Sequence, residues 1–292
     1  MPVGAKIGLL IACLFWAISF IATKVALAAA PPLTVVAARL CISALCFVAW
    51  FALTRRWPRI ADRRQLTTLF GLSLIGTGLH YGIQTVGLQY TSAANGSLYA
   101  VTGPIAIALL AALAGERLTR RKLAGIALAL TGVLVVLGVD TLRAVEWRGH
   151  LLGDLLVFVS IFLWGLFTVA GKQVTDRLGA LEMTGTATII GALWMLPVAA
   201  GELWWRSFSL AAISARAWLA IAFLGVTCSF AATLLYFAAL ARSESQRVGV
   251  YLYLIPPLTY TVAGLYLHEP IGLNLLGGSL LVLAGVYLTE RS

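Results

Sequence analysis

The chain has 292 residues, of which 61% are hydrophobic and 11% are charged. Soluble domains carry a smaller apolar share and about 25% charged residues, so this composition excludes a soluble protein and indicates an integral membrane protein. The formal net charge of +10 would suit a nucleic-acid-binding protein, but the positions of the basic residues indicate membrane orientation instead.

Apolar stretches long enough to cross a bilayer recur through the whole chain. A membrane-spanning helix needs about 20 predominantly apolar residues. Ten stretches meet this requirement: residues 7–27, 33–53, 66–88, 92–114, 121–139, 151–172, 180–200, 217–240, 246–267 and 271–289. We therefore predict an all-α integral membrane protein with ten transmembrane helices.

The basic residues are distributed unequally between the two sides of these spans. With the N-terminus inside, the inside segments hold fifteen Lys and Arg residues and the outside loops hold four. Cytoplasmic loops of membrane proteins carry such an excess. We therefore predict that both termini are cytoplasmic.

The first two spans carry a tryptophan, a lysine and an arginine at membrane depth. Trp16 lies near the middle of the first span and either packs as bulk or lines a cavity. Lys24, near the outer end, either snorkels to the interface or binds substrate. Arg39 in the second span costs about 2.5 to 3.5 kcal/mol on insertion scales unless it is solvated or paired. It either snorkels outward or serves as a cavity cation that meets a carboxylate.

The third and fourth spans hold the densest run of polar and aromatic side chains at membrane depth. His80 and Gln84 share a face of the third span, and Tyr81 projects about 100° away. Asn95 and Tyr99 share a face of the fourth. Such groups are costly in hydrocarbon unless they face a bundle interior or a wet cavity, so we interpret this hairpin as the wall of a transport pathway. A second interpretation makes His80 a hydrogen-bonded core residue.

Two prolines lie within the predicted fourth and ninth spans. Pro104 and Pro257 each free a backbone carbonyl from its helical hydrogen bond. Interrupted helices at matching positions of two halves point to a binding site in transporters, whereas either proline alone is also compatible with a packing kink. Trp164 in the sixth span and Tyr253 in the ninth are predicted to add rings to the same site.

A weak internal repeat relates the two halves of the chain, residues 1–140 and 141–292. Prolines and glutamates match at one offset of 153 residues: Pro104 with Pro257, and Glu116 with Glu269. Each half holds five spans, and because five is odd the second half enters the membrane from the opposite side. We therefore predict two inverted five-helix repeats around a central cavity, an arrangement that builds alternating-access carriers.

Four stretches resemble the EamA-type transporters of the drug/metabolite transporter superfamily. They are LFWAISFIATKVAL, PPLTVVAARL, YTSAANGSLYAVTGPIAIALLAALAGERLTRRKLAGIALALTGVLV and RVGVYLYLIPPLTYTVAGLYLHEPIGLNLLGGSLLVLAGV. The length and the tyrosine-rich ninth span are most similar to bacterial aromatic amino-acid and metabolite exporters. The resemblance implies ten helices in two EamA repeats, a bacterial inner-membrane location and efflux of small metabolites. It also implies motif positions at Trp16, Arg39, Pro104, Glu116, Pro257 and Glu269.

The polar groups indicate which molecules such a site would take. No acidic residue lies centrally in a span, which favours a facilitator over a proton antiporter and leaves His80 as the mid-membrane group able to titrate. Ring faces suit apolar side chains and attract ammonium groups, and polar side chains can hydrogen-bond a carboxylate. The residues predicted to bind substrate are Trp16, Arg39, His80, Tyr81, Gln84, Asn95, Tyr99, Trp164 and Tyr253.

We therefore predict a secondary transporter that exports neutral amino acids, aromatic ones included, and related small metabolites by facilitated alternating access. One alternative is proton-coupled efflux of organic cations or drugs. Another is exchange of phosphorylated metabolites or nucleotide sugars, which requires Lys24, Arg39 and Lys172 to converge centrally.

Catalysis and cofactor binding have no counterpart in the sequence. There is no phosphate-binding loop for ATP, and no convergent acid, base or metal set. The four cysteines lie in apolar spans without a CxxC or Cys/His cluster, so neither disulfides nor a metal site is predicted. The predicted partners are a small-molecule substrate and the lipid bilayer, without nucleic acid, and a monomer suffices.

Overall fold

The computed structural model describes residues 1–58, 60, 62–91, 96, 99–143, 151–267 and 273–292, with 139–143 and 263–267 described by their backbone alone. The first half contains helices α1 (Val3–Leu27), α2 (Pro32–Thr54), α3 (Arg63–Tyr90), α4 (Gly103–Leu113) and α5 (Arg120–Arg143). The second half contains α6 (Leu151–Leu178), α7 (Ala180–Trp205), α8 (Ala215–Leu240), α9 (245–267) and α10 (Leu273–Glu290). The described residues contain no strand.

Eight of these helices are long and apolar enough to cross a membrane: α1, α2, α3, α6, α7, α8, α10 and the part Arg120–Gly138 of α5. The predicted all-helical membrane fold is therefore confirmed. The fourth predicted span contains the shorter apolar helix α4, and the ninth is divided into Ser245–Gly249, the 3₁₀ turn Val250–Leu254 and Ile255–Leu267. The fourth predicted span also includes residues outside the described ranges, so a total of ten spans stays a prediction.

Local chemistry sets several helix ends. The Asp62 carboxylate accepts a hydrogen bond from the Gln65 amide at 2.7 Å and caps the start of α3. Gly179, with φ of 91°, joins α6 to α7 in a backbone conformation that favours glycine. α2 begins at Pro32, in the first turn where proline is tolerated. A connection as short as Gly179 reverses the direction of the chain between consecutive helices.

Helices α3 and α8 each contain a π-helical segment. The segments are Ser73–Leu79 in α3 and Leu224–Ala232 in α8, and they end directly before His80 and Thr233. π-helical turns are rare and occur frequently at functional sites. The last residues of the two segments, Leu79 and Ala232, are 153 residues apart, which is the offset of the predicted repeat. The two halves therefore share this departure from regular helix.

Helices α5 and α10 pack through glycines. A Cβ atom on Gly278 would lie 2.6 Å from the carbonyl oxygen of Gly132, and one on Gly285 would lie 2.5 Å from that of Gly125. Because the earlier glycine of α5 faces the later glycine of α10, the helices run antiparallel. Small residues at such contacts allow the two backbones to approach closely.

We expect Gly278→Ala to lower the unfolding temperature of the purified protein. The added methyl group would collide with the backbone of α5, and overpacking of this kind typically costs about 1 to 3 kcal/mol. Gly277→Ala is the matched control, because a Cβ at Gly277 meets no atom within 4 Å. Thermal unfolding in detergent measures both variants, and an equal change in the two would contradict the close packing.

The two chain termini meet at one end of the bundle, here called the termini end. The Met1 ammonium lies 3.4 Å from the Glu290 carboxylate. Lys172 also lies at this end and donates to the Leu240 carbonyl at 3.0 Å. Lys24 lies at the opposite end and donates to the Leu88 carbonyl. The two lysines therefore bind helix-end carbonyls at opposite ends of the bundle.

Candidate functional site

A cavity of about 70 Å³ lies among α1, α2, α3, α6, α9 and the segment that leads into α4. It has room for a few water molecules. Six of the nine residues predicted to bind substrate line it: Trp16, Arg39, His80, Tyr81, Gln84 and Trp164. The remaining lining residues are Ser19, Phe20, Ala100, Gly103, Ile161, Leu252 and Ile255. The structure thus brings together predicted residues that lie far apart in the chain, Trp16 and Trp164 being separated by 148 residues.

Trp164 is the centre of an aromatic cluster beside this cavity. Its ring centroid lies 5.2 Å from that of Trp16, 5.5 Å from Tyr236 and 5.7 Å from Phe167. Trp16 and Tyr236 are also in contact, with centroids 5.4 Å apart. Tilted and edge-to-face ring pairs at these distances each add about 0.5 to 1.5 kcal/mol beyond area burial. The cluster therefore forms a well-packed apolar wall.

His80 is both hydrogen-bonded and part of the cavity wall. Its Nδ1 lies 2.7 Å from the Ser160 carbonyl oxygen. Because a carbonyl only accepts hydrogen bonds, Nδ1 carries the hydrogen and donates it. The ring lies 4.9 Å from Tyr81 and 5.2 Å from Trp164, measured between centroids. The geometry therefore fits a core residue that also presents one side to the cavity.

Arg39 is buried within the bundle rather than extended to its surface. Its Nε donates to the Ser229 hydroxyl at 2.9 Å, and its guanidinium carbon lies 4.2 Å from the centroid of the Tyr81 ring. Only 3% of the residue is exposed. Within the described part of the chain, no Asp or Glu forms an ion pair with it. The described residues thus hold this buried cation at the cavity wall through one hydroxyl and one ring face.

Three residues predicted to contact substrate do not line the cavity or lie outside the described residues. Tyr99 is half-buried beside Asp154 of α6 and is absent from the cavity lining. Tyr253 is fully buried, and its hydroxyl has no hydrogen-bond partner among the described residues. Asn95 lies outside the described residues, as does Glu269. Contact of Tyr99, Tyr253 and Asn95 with substrate stays a prediction.

The two predicted helix-breaking prolines lie in first turns of helices. Pro104 follows a turn in which the Thr102 amide donates to the Tyr99 carbonyl at 2.9 Å, and α4 begins beside it. Pro257 lies near the start of Ile255–Leu267, directly after the 3₁₀ turn Val250–Leu254. Both prolines therefore mark the point at which a regular helix begins after irregular backbone.

Ionic contacts join α1, α9 and α10 at the termini end. The Glu290 carboxylate accepts from Lys6 Nζ at 2.6 Å and from the Tyr251 hydroxyl at 3.0 Å. Lys122, at the start of α5, pairs with Glu244 at 2.7 Å. At the opposite end, a depression of about 720 Å³ opens beside the 28–31 loop. Five of the six ion pairs among the described residues thus lie at the termini end, and the larger open volume lies at the other end.

Several site residues lacked a distinguishing signal in the sequence. Ser229, which binds Arg39, is 190 residues away from it in the chain. Tyr236 contacts both tryptophans but lies in a span that offers several polar residues. Phe20 was detectable, because it is four residues after Trp16 and therefore on the same helix face.

Comparison with known proteins gives the family. The sequence model of the EamA-like transporter family matches residues 4–138 and 151–291. An uncharacterized transporter from Archaeoglobus fulgidus is 30% identical over 276 residues, which cover 94% of this chain and 93% of that protein. The uncharacterized transporter YvbV of Bacillus subtilis is 30% identical over 283 residues, which cover 95% and 88%.

Two further similarities concern a named exporter and a solved fold. A protein of Streptantibioticus cattleyicolor named "Probable terminal-alkyne amino-acid exporter" is 30% identical over 210 residues, covering 70% of this chain and 66% of that protein. A crystal structure superposes with a TM-score of 0.77 over 98% of this chain and 97% of the other, and its 20% identity makes it a likeness of fold alone. Because the family model matches most of the chain, this multi-pass membrane protein belongs to the EamA-like transporter family.

Proposed function

We propose that this transporter exports neutral amino acids, aromatic ones among them, and related small metabolites. The observation that carries the proposal is the cavity in which Arg39, His80 and Gln84 meet the rings of Trp16 and Trp164. An amino acid offers a carboxylate to the polar groups and a side chain to the rings. Similarity to a protein named as an amino-acid exporter supports the same substrate class.

Alternating access between two inverted repeats, residues 1–140 and 141–292, is the proposed mechanism. Separate matches of the family model to residues 4–138 and 151–291 support the repeat. The glycine contacts support its inversion: an offset of 153 residues relates Gly125 to Gly278 and Gly132 to Gly285. The antiparallel pairs of α5 and α10 exchange under this relation. Rocking of the two halves would then expose the cavity alternately on each side.

The proposed orientation places both termini in the cytoplasm of a bacterium, with ten spans in its inner membrane. The excess of basic residues in the segments on the side of the N-terminus supports the cytoplasmic assignment of that side. The 3.4 Å contact of Met1 with Glu290 supports the placement of both termini on one side. In this orientation the ionic contacts of the termini end lie at the cytoplasmic side.

The cavity offers less to the alternative substrates. Lys24 and Lys172 bind carbonyls at opposite ends of the bundle, so they do not converge with Arg39 on a phosphate group. No carboxylate is among the described residues that line the cavity, so an organic cation would find only ring faces there and would meet the positive charge of Arg39. The same lack of an acidic group, with His80 engaged by Ser160, favours facilitated transport over proton antiport.

Efflux from liposomes tests the proposal. The purified protein would be reconstituted and the efflux of labelled neutral and aromatic amino acids measured with and without an imposed pH gradient, with protein-free liposomes as the control. We expect saturable efflux that stops at equal concentrations. One pH unit would drive about tenfold accumulation in one-to-one proton antiport, since it corresponds to about 1.4 kcal/mol per proton.

Each departure from this result has a distinct meaning. Accumulation that follows the pH gradient would overturn facilitated transport and retain the substrate class. Efflux that rises without saturation would indicate a channel. Absence of amino-acid efflux, with organic cations carried instead, would overturn the substrate class.

A further inference from the structure

The cavity contains one ionised side chain among its described lining residues. That residue is Arg39, and the other lining side chains are aromatic, aliphatic or uncharged polar groups. The described part of the wall therefore has a positive charge at one position and no negative charge to balance it. A bound molecule with a negative group would compensate this charge, whereas a positive group would be repelled by it.

The hydrogen-bond capacity of Arg39 is only partly used. A guanidinium group has five N–H donors and no acceptor. The described residues supply one acceptor, the Ser229 hydroxyl, which takes the Nε hydrogen at 2.9 Å. The Tyr81 ring covers one face of the guanidinium plane but leaves the in-plane donors of its two terminal nitrogens without a described protein acceptor.

The position of Arg39 also limits the water available to those donors. The residue is 97% buried, and the cavity beside it has an open volume of only about 70 Å³. A buried charge without a partner is unfavourable and is stabilised by a ligand of opposite charge. The planar fork of two terminal nitrogens matches the two oxygens of a carboxylate.

The described lining residues offer an ammonium group no partner comparable to Arg39 for a carboxylate. The strongest partner for a primary ammonium is a carboxylate, which accepts charge-assisted hydrogen bonds from it. No Asp or Glu is found among the described lining residues. The rings of Trp16 and Trp164 offer only the weaker attraction of a ring face. They are also packed against each other, which occupies part of that surface.

We propose that Arg39 anchors a carboxylate and that the site selects this group, so that it takes aryl and alkyl monocarboxylates whether or not they carry an amino group. The inference rests on the proposed function and deepens it. Deaminated or hydroxylated counterparts of amino acids thus become substrates of the same site. Amines that lack a carboxylate do not.

Calorimetric binding of three ligands with the same ring tests this proposal. The ligands are phenylalanine, 3-phenyllactate, in which a hydroxyl replaces the amino group, and phenethylamine, which lacks the carboxylate. With the purified full chain in detergent, we expect the two acids to bind with dissociation constants within about threefold of each other and the amine at least about tenfold more weakly, as loss of a charge-assisted bond predicts.

Variants of Arg39 identify the anchor. Arg39→Gln should weaken both acids at least about tenfold and leave the amine unchanged or bound more tightly. Arg39→Lys keeps the charge but loses the planar fork, so it should retain part of the preference for acids over the amine. Arg216→Gln, which removes an exposed arginine at the start of α8, is the matched control and should bind all three ligands as the parent chain does. Unfolding temperatures recorded on the same samples separate loss of binding from loss of fold.

The outcomes distinguish this inference from the proposed function. Binding of phenylalanine without 3-phenyllactate would overturn selection by the carboxylate while leaving amino-acid export in place. Unchanged acid binding in folded Arg39→Gln would overturn Arg39 as the anchor. Preference for phenethylamine, together with absence of amino-acid efflux from liposomes, would overturn both.

Discussion

Replacement of His80 with alanine is expected to lower the initial rate of amino-acid efflux at least about tenfold without preventing membrane insertion. The ring forms part of the cavity wall, and its Nδ1 hydrogen bond to Ser160 connects α3 with α6 at the site. Loss of one hydrogen bond together with a wall contact corresponds to about 1.4 kcal/mol or more, which is a factor of about ten. Initial efflux rates from liposomes, normalised to folded protein, measure the effect.

A second substitution at the same position distinguishes a role of His80 in the cavity wall from a role in carrying protons. His80→Asn keeps an N–H that can donate to the Ser160 carbonyl but has no group that titrates near neutral pH. Facilitated transport predicts substantial recovery of efflux in this variant relative to His80→Ala. An Asn variant as inactive as the Ala variant would support proton handling, and unchanged efflux in His80→Ala would return the residue to a purely structural role.

The apolar length of the helices was the part of the fold that the sequence made easiest to predict. The predicted sixth span, 151–172, corresponds to α6 at Leu151–Leu178, and the predicted second span, 33–53, to α2 at Pro32–Thr54. The physical reason is that a helix in hydrocarbon needs a long uninterrupted apolar run, which composition reveals directly. The α6 helix continues past the predicted end because a helix does not have to stop at the membrane surface.

The partners of polar residues could not be predicted in the same way. Helical periodicity shows which residues share a face, as His80 and Gln84 do, but it does not show which neighbouring helix that face meets. The bond between Arg39 and Ser229 depends on the packing of α2 against α8. The π-helical segment before Thr233 adds to the difficulty, because it shifts the facing of the residues that follow it.

Two lysines predicted as possible substrate ligands donate hydrogen bonds to helix-end carbonyls in this structure. The last carbonyl groups of a helix lack intrahelical donors, and Lys24 and Lys172 supply them at Leu88 and Leu240. A sequence shows that a lysine lies near a membrane surface, but not whether a neighbouring helix ends beside it. The position of a neighbouring helix end therefore determines whether such a lysine has a carbonyl partner.

Replacement of Trp164 is expected to change substrate preference as well as stability. Trp164→Ala removes the ring that contacts Trp16, Tyr236 and His80, and deletion of a large buried aromatic side chain typically costs about 3 to 5 kcal/mol. Trp204→Ala is the matched control, because that tryptophan is 82% exposed and exposed substitutions usually change stability by less than about 0.5 kcal/mol. Thermal unfolding in detergent should therefore separate the two variants clearly.

The milder Trp164→Phe keeps a ring at the cluster and serves for the transport measurement. A smaller ring widens the cavity at the wall that Trp16 and Ile161 share. The efflux rate of tryptophan relative to that of alanine should therefore rise by about three- to tenfold. A change of this size is typical of what an apolar pocket achieves when the space for a substrate side chain changes. Trp204→Phe should leave the ratio unchanged. The same change of ratio in both variants would mean that Trp164 acts through the stability of the bundle and that substrate does not lie against its ring.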